Sequence, residues 1–104
     1  MDRNDAATER RRNRRVPLGG IEASVHVPGE VRPFAARCTD LGVGGMTLIS
    51  AYVPREGEQL RVEVASPGGP QGIAPLHVRA CVRRCHPMGD GAYAMGVEIV
   101  EVIG

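Results

Sequence analysis

Apolar residues recur at every second position in a series of short runs, each closed by Gly, Pro or Asp, and that is the period of half-buried β-strands. Ile21, Ala23, Val25 and Val27 alternate with Glu22, Ser24 and His26, and Pro28 with Gly29 ends the run. A second run over residues 31–39 places Phe34, Ala36 and Cys38 on one face and stops at Asp40. The third begins after Gly44 and Gly45, with Met46, Leu48 and Ser50 on one side and Thr47 and Ile49 on the other. Leu60, Val62 and Val64 alternate with Arg61 and Glu63 in the cleanest pattern of the chain. Leu76, Val78, Ala80 and Val82 form one face of a fifth strand, leaving His77, Arg79, Cys81 and Arg83 on the other. Pro87, Gly89, Asp90 and Gly91 turn the chain into a last run over 92–102, where Tyr93, Met95, Val97 and Ile99 face one way. The Pro- and Gly-rich stretch from Ser66 to Gly72 reads as an exposed loop. No segment carries a helical stripe. Six strands spaced by about 8–15 residues predict a small all-β antiparallel barrel or sandwich.

At 104 residues the chain has the size of one domain. Its 42% hydrophobic and 24% charged residues match soluble globular proteins, which excludes a disordered chain and a membrane-spanning one. With one Phe, two Tyr and no Trp, the core is expected to be aliphatic, and stacking on a ligand falls to Arg. The formal charge of +1 hides an asymmetry: six Arg against three acids in residues 1–15, seven Arg against nine acids thereafter. Residues 1–14 are therefore expected to be a flexible basic arm and 15–104 the β-barrel domain. Every basic residue is Arg, whose planar fork suits phosphates and guanine edges; a genome favouring Arg codons accounts for the scattered ones. Cys38, Cys81 and Cys85 are odd in number, with no CxxC pair and no leading apolar run, so the chain is expected to be cytoplasmic with reduced thiols. Arg14 and Arg15 do not make a twin-Arg export signal, because Val16-Pro17-Leu18-Gly19-Gly20 is not an apolar segment of the required kind.

Two segments carry candidate chemistry. In Glu9-Arg10-Arg11-Arg12-Asn13-Arg14-Arg15, Arg11 and Arg15 lie four apart, about 13 Å in an extended chain, so two guanidinium groups can close around a compact anion. The same charges serve equally as a solvated tail or as a nucleic-acid arm with salt-sensitive affinity. The second segment is Thr39-Asp40-Leu41-Gly42-Val43-Gly44-Gly45-Met46, between two predicted strands, where Gly allows positive φ and close approach of a ligand. Read alone it is a turn, and it is no phosphate loop, because it lacks the Gly-Lys-Ser ending and opens a strand.

An RxxxR pair just before a barrel, followed some 25 residues later by Asp-x-Gly-x-x-Gly, resembles the PilZ domain family, whose motifs are RxxxR and (D/N)xSxxG. The closing Gly96-Val97-Glu98-Ile99 is similar to the family's usual ending. The resemblance implies a six-stranded antiparallel β-barrel that binds the bacterial messenger cyclic diguanylate. Arg11 and Arg15 match the motif arginines, with Arg10 and Arg14 as the alternative register; Asp40 matches its acidic position and Gly45 its terminal Gly. Arg forks suit guanine O6 and N7, and a carboxylate at Asp40 suits the N1 and N2 donors. Arg10, just before the motif, implies capture of an intercalated ligand dimer. Gly42 departs from the family Ser; one missing hydroxyl bond costs about 0.5–1.5 kcal/mol, so binding is expected to weaken rather than vanish.

The expected function is thus a cytoplasmic cyclic diguanylate receptor with no cofactor, whose arm orders over the ligand and presents a new surface to a downstream protein. One alternative is a PilZ-like protein-interaction adaptor that has lost the ligand through Gly42. Another is nucleic-acid binding through the arm, opposed by the acidic body and the lack of interleaved aromatics. His77, Cys81 and Cys85 lie at four-residue steps, about 13 Å apart on one strand, too far for one metal ion, and His86 points the other way. No Ser, His and Asp constellation or carboxylate pair points to an enzyme, and Glu56, Glu58 and Glu63 read as solvated charges.

Overall fold

The structure, a computed structural model, describes residues 15–65 and 75–104. Six strands, β1 (Arg15–His26), β2 (Phe34–Gly42), β3 (Gly45–Ser50), β4 (Gln59–Val64), β5 (Leu76–Pro87) and β6 (Tyr93–Val102), close a barrel in the order β1-β2-β3-β6-β5-β4. All six pairings are antiparallel, and β4 against β1 completes the ring. Closure removes the unpaired edges that an open six-stranded sheet would expose.

The alternating residues fill the interior as their period requires. Val25, Cys38, Met46, Leu48, Val62, Val64, Val78, Val82 and Met95 are fully buried, and Ala23, Ala36 and Ala80 keep the narrow barrel from overfilling. Each buried Leu, Val or Met contributes about 1.5–3 kcal/mol of transfer free energy. At one end Phe34 and Tyr52 close the core with ring centroids 4.6 Å apart. Ser50, the buried polar residue of β3, donates its hydroxyl to Ala35 O at 2.9 Å and accepts from Tyr52 N at 3.2 Å, so its burial leaves no group orphaned.

Several strands differ from their sequence-based outlines. β1 starts at Arg15, through Pro17, Gly19 and Gly20, whose turn-forming character conceals a strand; these residues form a bulge. β2 continues past Asp40 to Gly42, and β5 past Arg83 to Pro87. The stretch from Ser66 to Gly72 and the basic arm, residues 1–14, lie outside the described residues.

Four side chains have surroundings that the alternation did not foretell. Cys81, on the outer face, is only 8% exposed because residues 57 and 58 pair onto β5 over it: Gly57 N donates to Val82 O, Val82 N donates to Glu58 O, and Cys81 Sγ donates to Gly57 O. Cys85 does not share that face but packs on the core, and burial pushes its thiol pKa up. Glu58 is not a simple solvated charge: it accepts the Tyr52 hydroxyl at both carboxylate oxygens and Arg55 N at 3.1 Å. Glu63 faces His26, with Nε2 and Oε1 3.0 Å apart.

Candidate ligand-binding site

The site begins with a slip in register. On β2, Cys38 pairs with Leu48 but Asp40 pairs with Thr47, so Thr39 is an extra residue against β3. On the other side of β2, Leu18, Gly19 and Gly20 of β1 stand opposite this same Thr39, since Pro17 pairs with Asp40 and Ile21 with Cys38. Gly19 and Gly20 absorb the distortion at φ of +71° and +89°, values that L side chains rarely adopt. Strict alternation from buried Cys38 would turn Asp40 inward. The bulge reverses the faces: Leu41, opposite buried Met46, packs on the core, and Asp40 joins the outward row of Thr47.

That row runs across the barrel in register: Pro17 on β1, Asp40 on β2, Thr47 on β3, Gly96 on β6 and Arg84 on β5. Asp40 is half-buried, with Oδ1 shielded from solvent. Pro17 sits in the row without disrupting a ladder on both sides, because β4 pairs with β1 only from Ala23 to His26. Beside the row, Gly42 follows Asp40 on the same face, and Gly45 pairs with Glu98, whose carboxylate receives Arg83 Nε at 2.8 Å. Gly44 O accepts Ile99 N at 2.9 Å and ties the β2–β3 turn to β6. Three positions of this face, Gly42, Gly45 and Gly96, therefore present no side chain, and Asp40, Thr47 and Glu98 border them. A carboxylate and a hydroxyl beside glycine backbone have the chemistry to take a flat, donor-bearing ligand.

Arg15 pairs with Gly42, so the chain enters the barrel beside the Asp40–Gly45 segment. Arg10 and Arg11, like Arg14 of the alternative register, lie outside the described residues. Of the predicted set, the structure thus brings together Arg15 at the backbone level, Asp40, Gly42 and Gly45. The positive φ expected over 42–45 is not there; among the described residues nearest the site it is Gly19 and Gly20 that adopt it. Sequence reasoning passed over Thr47 and the Gly19-Gly20 bulge. The Gly-Gly pair inside an apolar run was the available signal for the latter; Thr47 had none, because its place depends on the slip at Thr39.

The PilZ domain family model matches residues 9–103. This chain belongs to the PilZ domain family. PilZ domains are receptor and adaptor domains of the cyclic-diguanylate-binding type. No curated protein matches the chain at significance. Among solved structures, this PilZ barrel is similar to the Bacillus subtilis inhibitor of motility MotI/DgrA, with a TM-score of 0.67 and 18% identity over 86% of this chain. At that identity the likeness is one of fold. The chain spans 42% of the length of that structure.

Proposed function

We propose that this PilZ domain is a cyclic diguanylate receptor that acts in the bacterial cytoplasm, without enzymatic activity, and signals through a partner protein. The observation that carries the reading is the register Arg15 to Gly42 and Pro17 to Asp40. It sets the end of the RxxxR motif against the Asp-x-Gly-x-x-Gly motif, although some 25 residues of chain separate them. In this reading Arg11 and Arg15 grip phosphate and guanine from the arm side, and Asp40 accepts from guanine N1 and N2. Gly42 and Gly45 place no side chain at the strand ends, where this reading lays the ligand. Arg10 favours an intercalated dimer of the nucleotide, and ordering of residues 1–14 over the ligand provides the surface that a partner reads. The thiols of Cys81 and Cys85, which form no disulfide, suit a reducing compartment.

Gly42 favours a second reading, an adaptor that works by protein contacts alone, because it removes one hydroxyl from the family motif. Calorimetric titration with cyclic diguanylate, with GTP and an Arg11→Ala, Arg15→Ala double variant as controls, separates the two. Saturable binding lost in the double variant supports the receptor, and the molar ratio gives the ligand stoichiometry. No heat from folded protein at high micromolar ligand supports the adaptor.

A further inference from the structure

We propose that Arg84 is a further guanidinium of the nucleotide site, reading the O6 and N7 edge of a guanine whose N1 and N2 edge meets Asp40. The proposal rests on the receptor reading above. Arg84 reaches the outer face by the same device as Asp40: Val82 pairs with Val97 and Arg84 with Gly96, so Arg83 is an extra residue on β5. Without that bulge, alternation from buried Val82 would aim Arg84 into the core and Cys85 outward. Instead Cys85 packs inward and Arg84 stands at the end of the row that holds Gly96, Thr47 and Asp40.

Its side chain lies along that row. A Cβ on Gly96 would sit 3.0 Å from Arg84 Nε, 3.2 Å from Cγ and 3.7 Å from Cδ, so the stem lies over the glycine, one strand spacing into the row. Arg79 is paired with Glu101 and Arg83 with Glu98, whereas Arg84 has no carboxylate partner among the described residues. Among the described residues its charge is thus uncommitted. Thr47 stands two strand spacings from Arg84, about 10 Å, and Asp40 about 5 Å further. Once the arginine has covered the first spacing, the remaining gap to the Asp40 carboxylate is about the breadth of a purine. Guanine carries its acceptor pair O6 and N7 next to its donor pair N1 and N2 in one plane. A base lying over the row therefore offers two adjoining edges, one suited to an Arg fork and one to a carboxylate.

The test is titration of the full chain with cyclic diguanylate and with cyclic diadenylate, whose adenine places an amino donor where guanine has O6. Arg84→Ala is expected to weaken cyclic diguanylate binding about 10- to 100-fold and to narrow the preference over cyclic diadenylate. Gly96→Ala, whose Cβ forces Arg84 off the row, is expected to weaken it as well while leaving the melting temperature unchanged or raised, since the φ of Gly96 is ordinary. Arg79→Ala, held by Glu101 elsewhere on the barrel, serves as the surface-charge control and is expected to bind like wild type. If wild type binds and Arg84→Ala binds within about twofold of it, the role of Arg84 is overturned and the receptor reading stands. An equal loss toward both nucleotides overturns base reading by Arg84. Failure of folded wild type to bind at all overturns both.

Discussion

Replacing Gly42 by Ser restores the family hydroxyl at a position whose backbone can accept it. Gly42 is the last residue of β2, half-buried, with a φ outside the left-handed region, so an L residue enters without backbone strain. Because Leu41 faces the core, a side chain at 42 points to the same outward face as Asp40. Two effects are expected and they separate. Removing glycine's freedom from the unfolded chain adds about 0.4–1 kcal/mol of stability, about 2–6 °C in melting temperature for a domain of this size. The new hydroxyl adds one hydrogen bond to the nucleotide, about 0.5–1.5 kcal/mol net, which tightens the dissociation constant about 2- to 12-fold. Gly42→Ala provides the control, since it keeps the entropic gain and lacks the hydroxyl. Thermal melts without ligand and calorimetry with cyclic diguanylate read the two effects on the same three proteins. Equal affinities for Gly42→Ser and Gly42→Ala would refute the assignment of a lost ligand hydrogen bond to Gly42. A lowered melting temperature in both would refute the backbone argument.

Gly20→Ala forces a Cβ into a φ of +89°; its nearest neighbour, Arg37 Cδ at 3.8 Å, leaves room, so the loss is backbone strain of about 1–3 kcal/mol, read as a lower denaturant midpoint with an unchanged m-value. Tyr52 has its phenol pKa pushed up to about 12, first by burial and then by the hydrogen bond to the Glu58 carboxylate. Since the folded state holds the phenol proton more tightly than the unfolded chain, the stability linked to it is intact below about pH 10 and is lost as pH rises from there to about 12. With Tyr93→Phe isolating the signal, phenolate absorbance should give a midpoint near 12 that falls in Glu58→Gln; a midpoint that ignores Glu58 would refute the pairing.

The barrel was legible because its core obeys one local rule. Ala36 and Cys38, Met46 and Leu48, Leu60 and Val62, Val78 and Ala80, Met95 and Val97 all sit inside as their period-two spacing requires. What escaped is non-local. The slip at Thr39 exists only because β2 pairs with β1 and β3 in two offset registers, and no window of ten residues contains that information. The same holds for Arg83 on β5, where strict alternation led to a shared face for Cys81 and Cys85 that the bulge abolishes. Glu58 was misread for a related reason: its partner Tyr52 comes from the connection that precedes it, and the hydroxyl-to-carboxylate bonds form only once that connection folds over the barrel end.

The site and the core are therefore set by the same two insertions. At Thr39 one extra residue turns Asp40 out and Leu41 in; at Arg83 one extra residue turns Arg84 out and Cys85 in. A barrel whose strands alternated perfectly would have to bury these charges or expose the apolar residues that follow them, and either would be costly. Bulges resolve the conflict by changing face in mid-strand, and in this barrel both changes fall on one row of the outer surface, on either side of Thr47 and Gly96. The polar row follows from the register of the closed barrel rather than from the conformation of a loop. Asp40, Thr47 and Gly96, in the middle of the row, each sit between two paired strands, which on the receptor reading gives the rigidity a small site needs to tell one planar base from another.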